Sequence, residues 1–290
     1  MNKLPMPTFN DLATLERVAN NHRLKSFPHL QSVVPQLTEG YVHYRLSEGN
    51  ASLIKPMQLN EDVQAYMREH YQSPPRALSY ISELRRQEQQ RVCPMCGSMH
   101  RGTLDHLLPK EEFPEFAFFS LNLVPACKCN TDRGQTVTGE LLGERVLHPY
   151  FDDCMSGRLI AACFEDPGYV PRVKLKLLID ADHPQHPAVA FHVRKVVERT
   201  AILQHILDNW INLCRKPRMV IRELARIPSS LGALHQTFVT ELELVDEAFG
   251  GRNNWNSVFL AGLLEPNITQ WLFDRLTAEG RSPDDPLTAP

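Results

Sequence analysis

Cys93-Pro-Met-Cys-Gly97, Leu104-Asp-His-Leu-Leu-Pro-Lys110 and Asn122-Leu-Val-Pro-Ala-Cys-Lys-Cys-Asn130 follow one another in a single short stretch, so that two close cysteine pairs bracket an Asp-His dipeptide. Thiolates at this spacing suit tetrahedral zinc, whereas Asp, His and carboxamide groups suit a hard divalent cation and a proton acceptor. One segment thus carries ligands for two different tasks.

Around it lies a chain of 290 residues, 42% hydrophobic, long enough for one large or two modest domains with their own cores. A formal charge of -3 excludes a uniformly basic coat, so polyanion binding would have to come from local patches. The N-terminal ten residues lack the apolar run of a signal peptide, and no later run reaches the roughly 18 apolar residues of a membrane span. A cytoplasmic protein without membrane partners is expected. Seven cysteines are an odd number for a disulfide framework. The two tight pairs read as metal ligands, and the scattered Cys154, Cys163 and Cys214 as small buried hydrophobes.

The flanks read as mainly helical. Residues 9–21 place Leu12, Leu15 and Val18 at helical spacing behind an Asn10-Asp11 cap, and Pro28 and Pro35 predict loop after them. Residues 59–71 open with Asn60 before Glu61 and Asp62, and a third helix is predicted from 76 to about 92, running directly into Cys93. Beyond the motif, Val173, Leu175 and Leu177 alternate with Arg172, Lys174 and Lys176 as in a half-exposed strand over 169–180, for which residues 188–193 are the expected partner. Helices are predicted from about 196 to Pro217, over 231–249 and over 255–264, and the last ten residues read as a disordered tail.

Residues 93–152, about a fifth of the chain, resemble the HNH nuclease superfamily in its zinc-stapled form. The resemblance implies an α+β fold in which a small ββα-metal finger with structural zinc is embedded in a mainly helical chain. It implies an N-terminal helical region over 1–90, a nuclease core over 91–152, and a C-terminal region over 153–290 of short strands and then helices. Asp105 and His106 match the family's first pair, Asn122 its middle Asn, and Asn130 the third position. By this likeness Cys93, Cys96, Cys127 and Cys129 hold zinc, Asp105 and Asn130 hold Mg²⁺ or Mn²⁺, His106 activates water, and Asn122 ties the loop.

Elementary chemistry supports these assignments independently. Phosphodiester hydrolysis needs an activated water, a cation for the charge growing on phosphate, and in-line geometry. A neutral imidazole, titrating ordinarily near pH 6.5, can take the proton. Adjacent strand residues face opposite ways, so Asp105 and His106 reach one metal only if the strand end bends or bulges. Asn130 would supply an oxygen ligand at a helix start whose partial positive charge faces phosphate.

The pair Cys127-Lys128-Cys129 has one intervening residue where the family usually has two. Either the knuckle tightens and all four cysteines bind zinc, or Cys127 is displaced and a group such as His100 completes the site. Downstream, Pro109-Lys110, Phe113 to Phe116 and His148-Pro-Tyr-Phe-Asp152 resemble a bacterial subgroup, although Tyr150 and Phe151 also read as core packing and His148 as a satisfied loop histidine. Lys110 could face a phosphate or solvent, and Arg133 stands where a basic residue commonly meets nucleic acid. Arg215, Lys216, Arg218, Arg222 and Arg226, with the basic face of the predicted strand, offer phosphate contacts or a merely solvated surface.

The expected activity is therefore a metal-dependent endonuclease, a phosphodiester hydrolase acting on DNA and leaving 5′-phosphate and 3′-hydroxyl ends. The subgroup belongs to anti-phage defence islands, which suggests an ATPase or another defence-system protein as partner by analogy alone. The alternative is a zinc-stabilised nucleic-acid or protein binding module without catalysis. A cysteine-histidine hydrolase is disfavoured, because no single cysteine stands apart with a positioned histidine.

Overall fold

Asn10 and Asn60 start helices as their side chains predict. In the computed structural model, which describes residues 1–86, 91–100 and 102–288, Asn10 accepts from the Ala13 amide at the head of α1 (Asp11–Ala19). Asn60 accepts from the Asp62 and Val63 amides at the head of α4 (Glu61–Gln72). Such caps satisfy amides with no partner inside the helix and are each worth about 1 kcal/mol. Between them the expected loop is instead helical, with α2 (His29–Ser32) and α3 (Val34–Leu46). Pro35 sits in the first turn of α3, where its missing N–H costs nothing. A turn over Arg76–Leu78 leads into α5 (Tyr80–Arg85), which ends well before residue 92. Residues 87–90 of the expected helix lie outside the described residues.

The motif folds as β1 (Thr103–His106) paired antiparallel with β2 (Leu123–Ala126), followed by α6 (Cys129–Arg133). A second antiparallel pair joins β3 (Ile160–Glu165) to β4 (Arg172–Leu177). The alternating strand is thus present, but its partner is not 188–193. That segment belongs to α7 (His186–His192), which opens with Pro187 in its first turn and passes into a wide turn at Val193–Val197. The remaining helices are α8 (Ile202–Arg215), α9 (Leu231–Phe249), α10 (Trp255–Leu263) and α11 (Pro266–Leu276). The small antiparallel sheets and predominant helices make an α+β chain.

Two hydrophobic cores form. The first joins α1, α3, α4 and α5 to the β1–β2 hairpin through Tyr41, Tyr44, Phe116 and Phe119. Phe119 stacks on Tyr41 at 4.2 Å and meets Tyr44 edge-on at 5.1 Å. The second packs α8 to α11 against β3, with Trp210 and Phe164 at its centre. Helix α10 crosses β3 so closely that a Cβ at Gly262 would lie 2.5 Å from the Ala162 carbonyl oxygen. Glycine is required there for contact, not for conformation.

The basic surfaces are largely neutralised. Lys174 pairs with Glu165 at 2.7 Å, Lys176 with Glu265 at 2.6 Å, and Arg218 with Asp284 at 2.7 Å. The tail expectation is also corrected: the Leu287 amide donates to the Cys214 carbonyl at 2.7 Å, and the Leu287 side chain is buried. Apolar contact with the second core holds the segment down despite its prolines. Among the described residues no helix is long and apolar enough to cross a membrane.

Candidate functional site

Gly97 turns the first cysteine pair. Its φ of +78° suits glycine, its amide donates to the Cys93 carbonyl at 2.9 Å, and the Cys93 amide donates to the Ser98 carbonyl at 2.7 Å. A Cβ at Gly97 would lie 2.0 Å from the Asn253 carbonyl oxygen. The loop therefore presents Cys93 and Cys96 to the second pair, with Cys93 and Cys129 sulfurs 3.7 Å apart and Cys96 and Cys127 sulfurs 3.4 Å apart. All four sulfurs lie within 4.8 Å of one another. Zn–S bonds of about 2.3 Å in a tetrahedron place sulfurs about 3.8 Å apart, so the cluster fits structural zinc. The shortened pair keeps both cysteines in it: the Cys129 amide donates to the Cys127 sulfur at 3.4 Å, and the Cys127 amide to the Cys93 sulfur at 3.3 Å. His100 is exposed and outside the cluster.

Three carbonyls of this knuckle are held from distant parts of the chain. The Asn2 amide donates to Pro94 at 2.9 Å, His192 Nε2 to Met95 at 2.7 Å, and Trp255 Nε1 to Cys96 at 2.9 Å. His192 must carry its proton on Nε2, because its Nδ1 accepts from the Leu147 amide at 3.0 Å. No sequence signal pointed to these partners, which come from outside the motif.

Beside the zinc-fitting cluster, Asp105, His106 and Asn130 border one cavity of about 180 Å³ with Lys110, Glu111 and Arg133. Of the bend or bulge expected at the strand end, no bulge interrupts the pairing. Pairing runs unbroken from Thr103 to His106, where the strand ends, and Asp105 and His106 both border the cavity at that end. One Asp105 oxygen accepts from the His106 amide at 2.8 Å. The His106 ring donates from Nε2 to the Ala117 carbonyl at 2.8 Å and packs edge-on against Tyr71 at 4.3 Å. Nδ1 is thereby left as the acceptor nitrogen. Burial pushes the His106 pKa down to about 4, against a smaller upward pull from the Ala117 hydrogen bond and the Asp105 charge. The ring is thus wholly neutral at pH 7, where an ordinary histidine would be partly charged.

Asn130 is 4% exposed, and among the described residues neither its Oδ1 nor its Nδ2 has a hydrogen-bond partner. Leaving both atoms of a buried carboxamide unpaired costs about 1–3 kcal/mol per group, an arrangement that a ligand in the cavity would relieve. Asp105 and Asn130 together offer the oxygen donors that suit a hard divalent cation. At five residues α6 adds little dipole to this site.

Asn122 lies away from the cavity and is fully buried. Its Oδ1 accepts from the Leu108 amide at 2.8 Å, and its Nδ2 donates to the Leu108 carbonyl at 3.0 Å and the Phe116 carbonyl at 3.2 Å. It closes the loop that carries His106 back into β2. The Tyr44 hydroxyl donates to Asn122 Oδ1 at 3.2 Å, extending the network to α3. Within the 148–152 segment, Tyr150 and His148 are buried, and Asp152 takes a bidentate pair from Arg145 at 2.6 Å to each oxygen. This segment braces the fold and does not reach the cavity.

Of two basic residues beside the cavity, Arg133 departs from the outward placement that the family resemblance implies. Arg133 is turned inward, 6% exposed, its guanidinium donating to the Thr136 carbonyl at 3.1 Å and the Leu107 carbonyl at 3.2 Å, with Nε unpaired. Lys110 borders the cavity and pairs with Glu111 at 2.9 Å, which leaves both of its expected roles open. Glu111 itself carried no signal in the sequence, since a surface acid beside a lysine is commonplace.

No family model matches the chain, and no solved structure matches it. One curated relative, Protein ea31 of Escherichia phage lambda, is 38% identical over 63 residues. That likeness spans only 21% of this chain and 21% of the relative.

Proposed function

We propose that the chain is a metal-dependent endonuclease of the HNH type, a zinc-stapled ββα-metal finger acting on DNA phosphodiester bonds from the cavity of Asp105, His106 and Asn130. The observation that carries this reading is the pairing of a neutral, oriented imidazole with a buried Asn130 whose polar atoms have no partner in the same cavity. His106 is held by the Ala117 carbonyl in the tautomer whose Nδ1 can accept a proton from water. A pKa near 4 makes a weak base, and the charge of an incoming phosphate would draw it upward. Asp105 and Asn130 would hold Mg²⁺ or Mn²⁺, which supplies charge neutralisation at the phosphate. The Asn122 and Tyr44 network keeps the loop behind His106 closed.

Supercoiled plasmid incubated with the purified protein and Mg²⁺ tests this directly. Nicking that disappears in His106→Ala and in Asp105→Ala is expected. DNA retention without any cleavage favours instead a zinc-stabilised binding module. An ATPase or other defence-system partner rests on the family resemblance alone and would be sought by co-purification.

A further inference from the structure

The four sulfurs of the zinc-fitting cluster are not equally sheltered. Cys93, Cys96 and Cys129 are at most 1% exposed, whereas Cys127 is half-buried. Cys127 also borders a second cavity, of about 460 Å³, on the other side of α6 from the first. Asn130 and Arg133 border the first cavity, and Cys129 and Asp132 the second. From the C-terminal part of the chain, Trp255 and residues 199–201 complete its walls.

Reactive cysteines combine thiolate character with exposure and nearby positive charge. Zinc keeps its thiol ligands deprotonated, which supplies the first condition at all four sulfurs. Only Cys127 meets the second. For the third, the Lys128 and Arg199 cations face this cavity's rim against the single carboxylate of Asp132. Positive charge there favours the anion that leaves when a peroxide is split. The volume is many times the roughly 30 Å³ of a water molecule, so a peroxide has room beside the sulfur. A second thiolate stands ready: Cys96 Sγ is 3.4 Å from Cys127 Sγ, closer than the 3.7 Å between the Cys93 and Cys129 sulfurs. A disulfide of about 2.05 Å requires those two sulfurs to approach by little more than about 1 Å.

We infer that Cys127 is an oxidation site for hydrogen peroxide, and that its oxidation ends in a Cys96–Cys127 disulfide that releases the zinc. The Cys127 thiolate attacks one peroxide oxygen, the O–O bond breaks, and hydroxide leaves behind a sulfenic acid. The Cys96 thiolate then attacks the Cys127 sulfur, so that the S–S bond forms, the S–O bond breaks, and a second hydroxide departs. Each hydroxide takes a proton from solvent. One peroxide is thereby reduced by two electrons to two waters, and two thiolates are oxidised to one disulfide. Cys93 and Cys129 alone remain as ligands, too few for a four-coordinate structural site. This chemistry requires zinc at the cluster and does not require that the chain cut DNA.

The test treats the full, zinc-loaded chain with hydrogen peroxide and follows zinc release with a chromogenic chelator, while samples are alkylated, digested with trypsin and mapped by mass spectrometry. Cleavage after Lys128 separates Cys127 from Cys129, and fragmentation of the peptide that holds both Cys93 and Cys96 tells which of them is joined. Zinc release is expected to keep pace with a Cys96–Cys127 disulfide, and a thiol reductant with added zinc should reverse both. Cys127→Ser should slow release by about tenfold or more, since the three remaining sulfurs are buried. Ala201→Trp borders the same cavity without being a ligand, and by filling it should slow release while zinc content is kept. That variant decides the matter if Cys127→Ser fails to fold or to hold zinc. Oxidation appearing first at Cys93 or Cys129, a Cys127 that reacts no faster than the half-buried Cys154 and Cys163, or an Ala201→Trp release rate equal to wild type overturns the inference. A purified chain without zinc overturns it as well, and none of these results bears on plasmid nicking.

Discussion

His148 donates from Nε2 to the Tyr44 hydroxyl at 3.1 Å, its Nδ1 being taken by the Tyr150 amide at 3.2 Å. The Tyr44 hydroxyl in turn donates to Asn122, which holds the Leu108 backbone on both sides. A histidine far along the chain thus braces the loop that follows His106. Tyr44→Phe should break this link between His148 and Asn122. The expected cost is about 1–3 kcal/mol of stability, read by urea unfolding, with faster amide exchange at Leu108. Unchanged exchange at Leu108 would show that the bracing is not transmitted.

The same histidine predicts a pH dependence. Burial pushes His148 down to about 3, so the folded state leaves it neutral where the unfolded chain, near pH 6.5, binds a proton. Its contribution to stability is present above the unfolded pKa and is lost as pH falls toward the folded value. Between about pH 6.5 and 4 the slope should be roughly 1.4 kcal/mol per pH unit from this residue. Urea titrations of wild type and His148→Gln should diverge over that window, the variant being less steep by about one proton. Parallel curves would contradict the assignment.

Asn130→Ala separates fold from chemistry. Because neither polar atom of Asn130 is paired, removing them should leave the thermal midpoint unchanged or raise it slightly. Plasmid nicking should nevertheless fall by about 100-fold or more, the scale expected when an interaction used only in catalysis is lost. A variant that is both destabilised and active would place Asn130 in a purely structural role.

Asp152→Asn should be among the most damaging single changes. Asp152 is 5% exposed, chelates Arg145 and also accepts from the His148 amide at 2.6 Å. Removing its charge leaves the partly buried Arg145 guanidinium without its counter-charge, at a cost of up to about 3–5 kcal/mol measured by thermal or urea unfolding. A loss below about 1 kcal/mol would indicate that water reaches Arg145.

Chelation should be visible in tryptophan emission. Trp255 donates to the Cys96 carbonyl inside the zinc-fitting knuckle, so stripping metal from the folded protein should shift its fluorescence. Metal analysis should give one zinc per chain, reduced in Cys93→Ser. Trp255→Phe should abolish most of the spectral change without altering the zinc count, provided the other two tryptophans report little.

The local signals in the sequence were sufficient where a single residue decides an element. Asn10 and Asn60 announced their helices, and the alternation through Val173, Leu175 and Leu177 announced β4. Residues 188–193 misled because a short apolar run has no period long enough to separate strand from buried helix. The true partner, Ile160 to Phe164, is nearly all apolar and packs beneath α10, so it shows no alternation to read. At the site, the spacing placed Asp105, His106 and Asn130 around one cavity. It could not reveal that Arg133 folds inward or that Tyr71 packs on the imidazole, since both depend on contacts between separate elements.

The grip on the knuckle carbonyls has a practical corollary. Met95 and Cys96 accept from His192 and Trp255, and Pro94 accepts from Asn2, so segments on both sides of the motif brace the same few atoms. A clipped version spanning only 93–152 would expose these oxygens and the apolar surface around them. It should precipitate or demand far more zinc than the intact chain, and minimal-fragment strategies are better replaced by internal point changes.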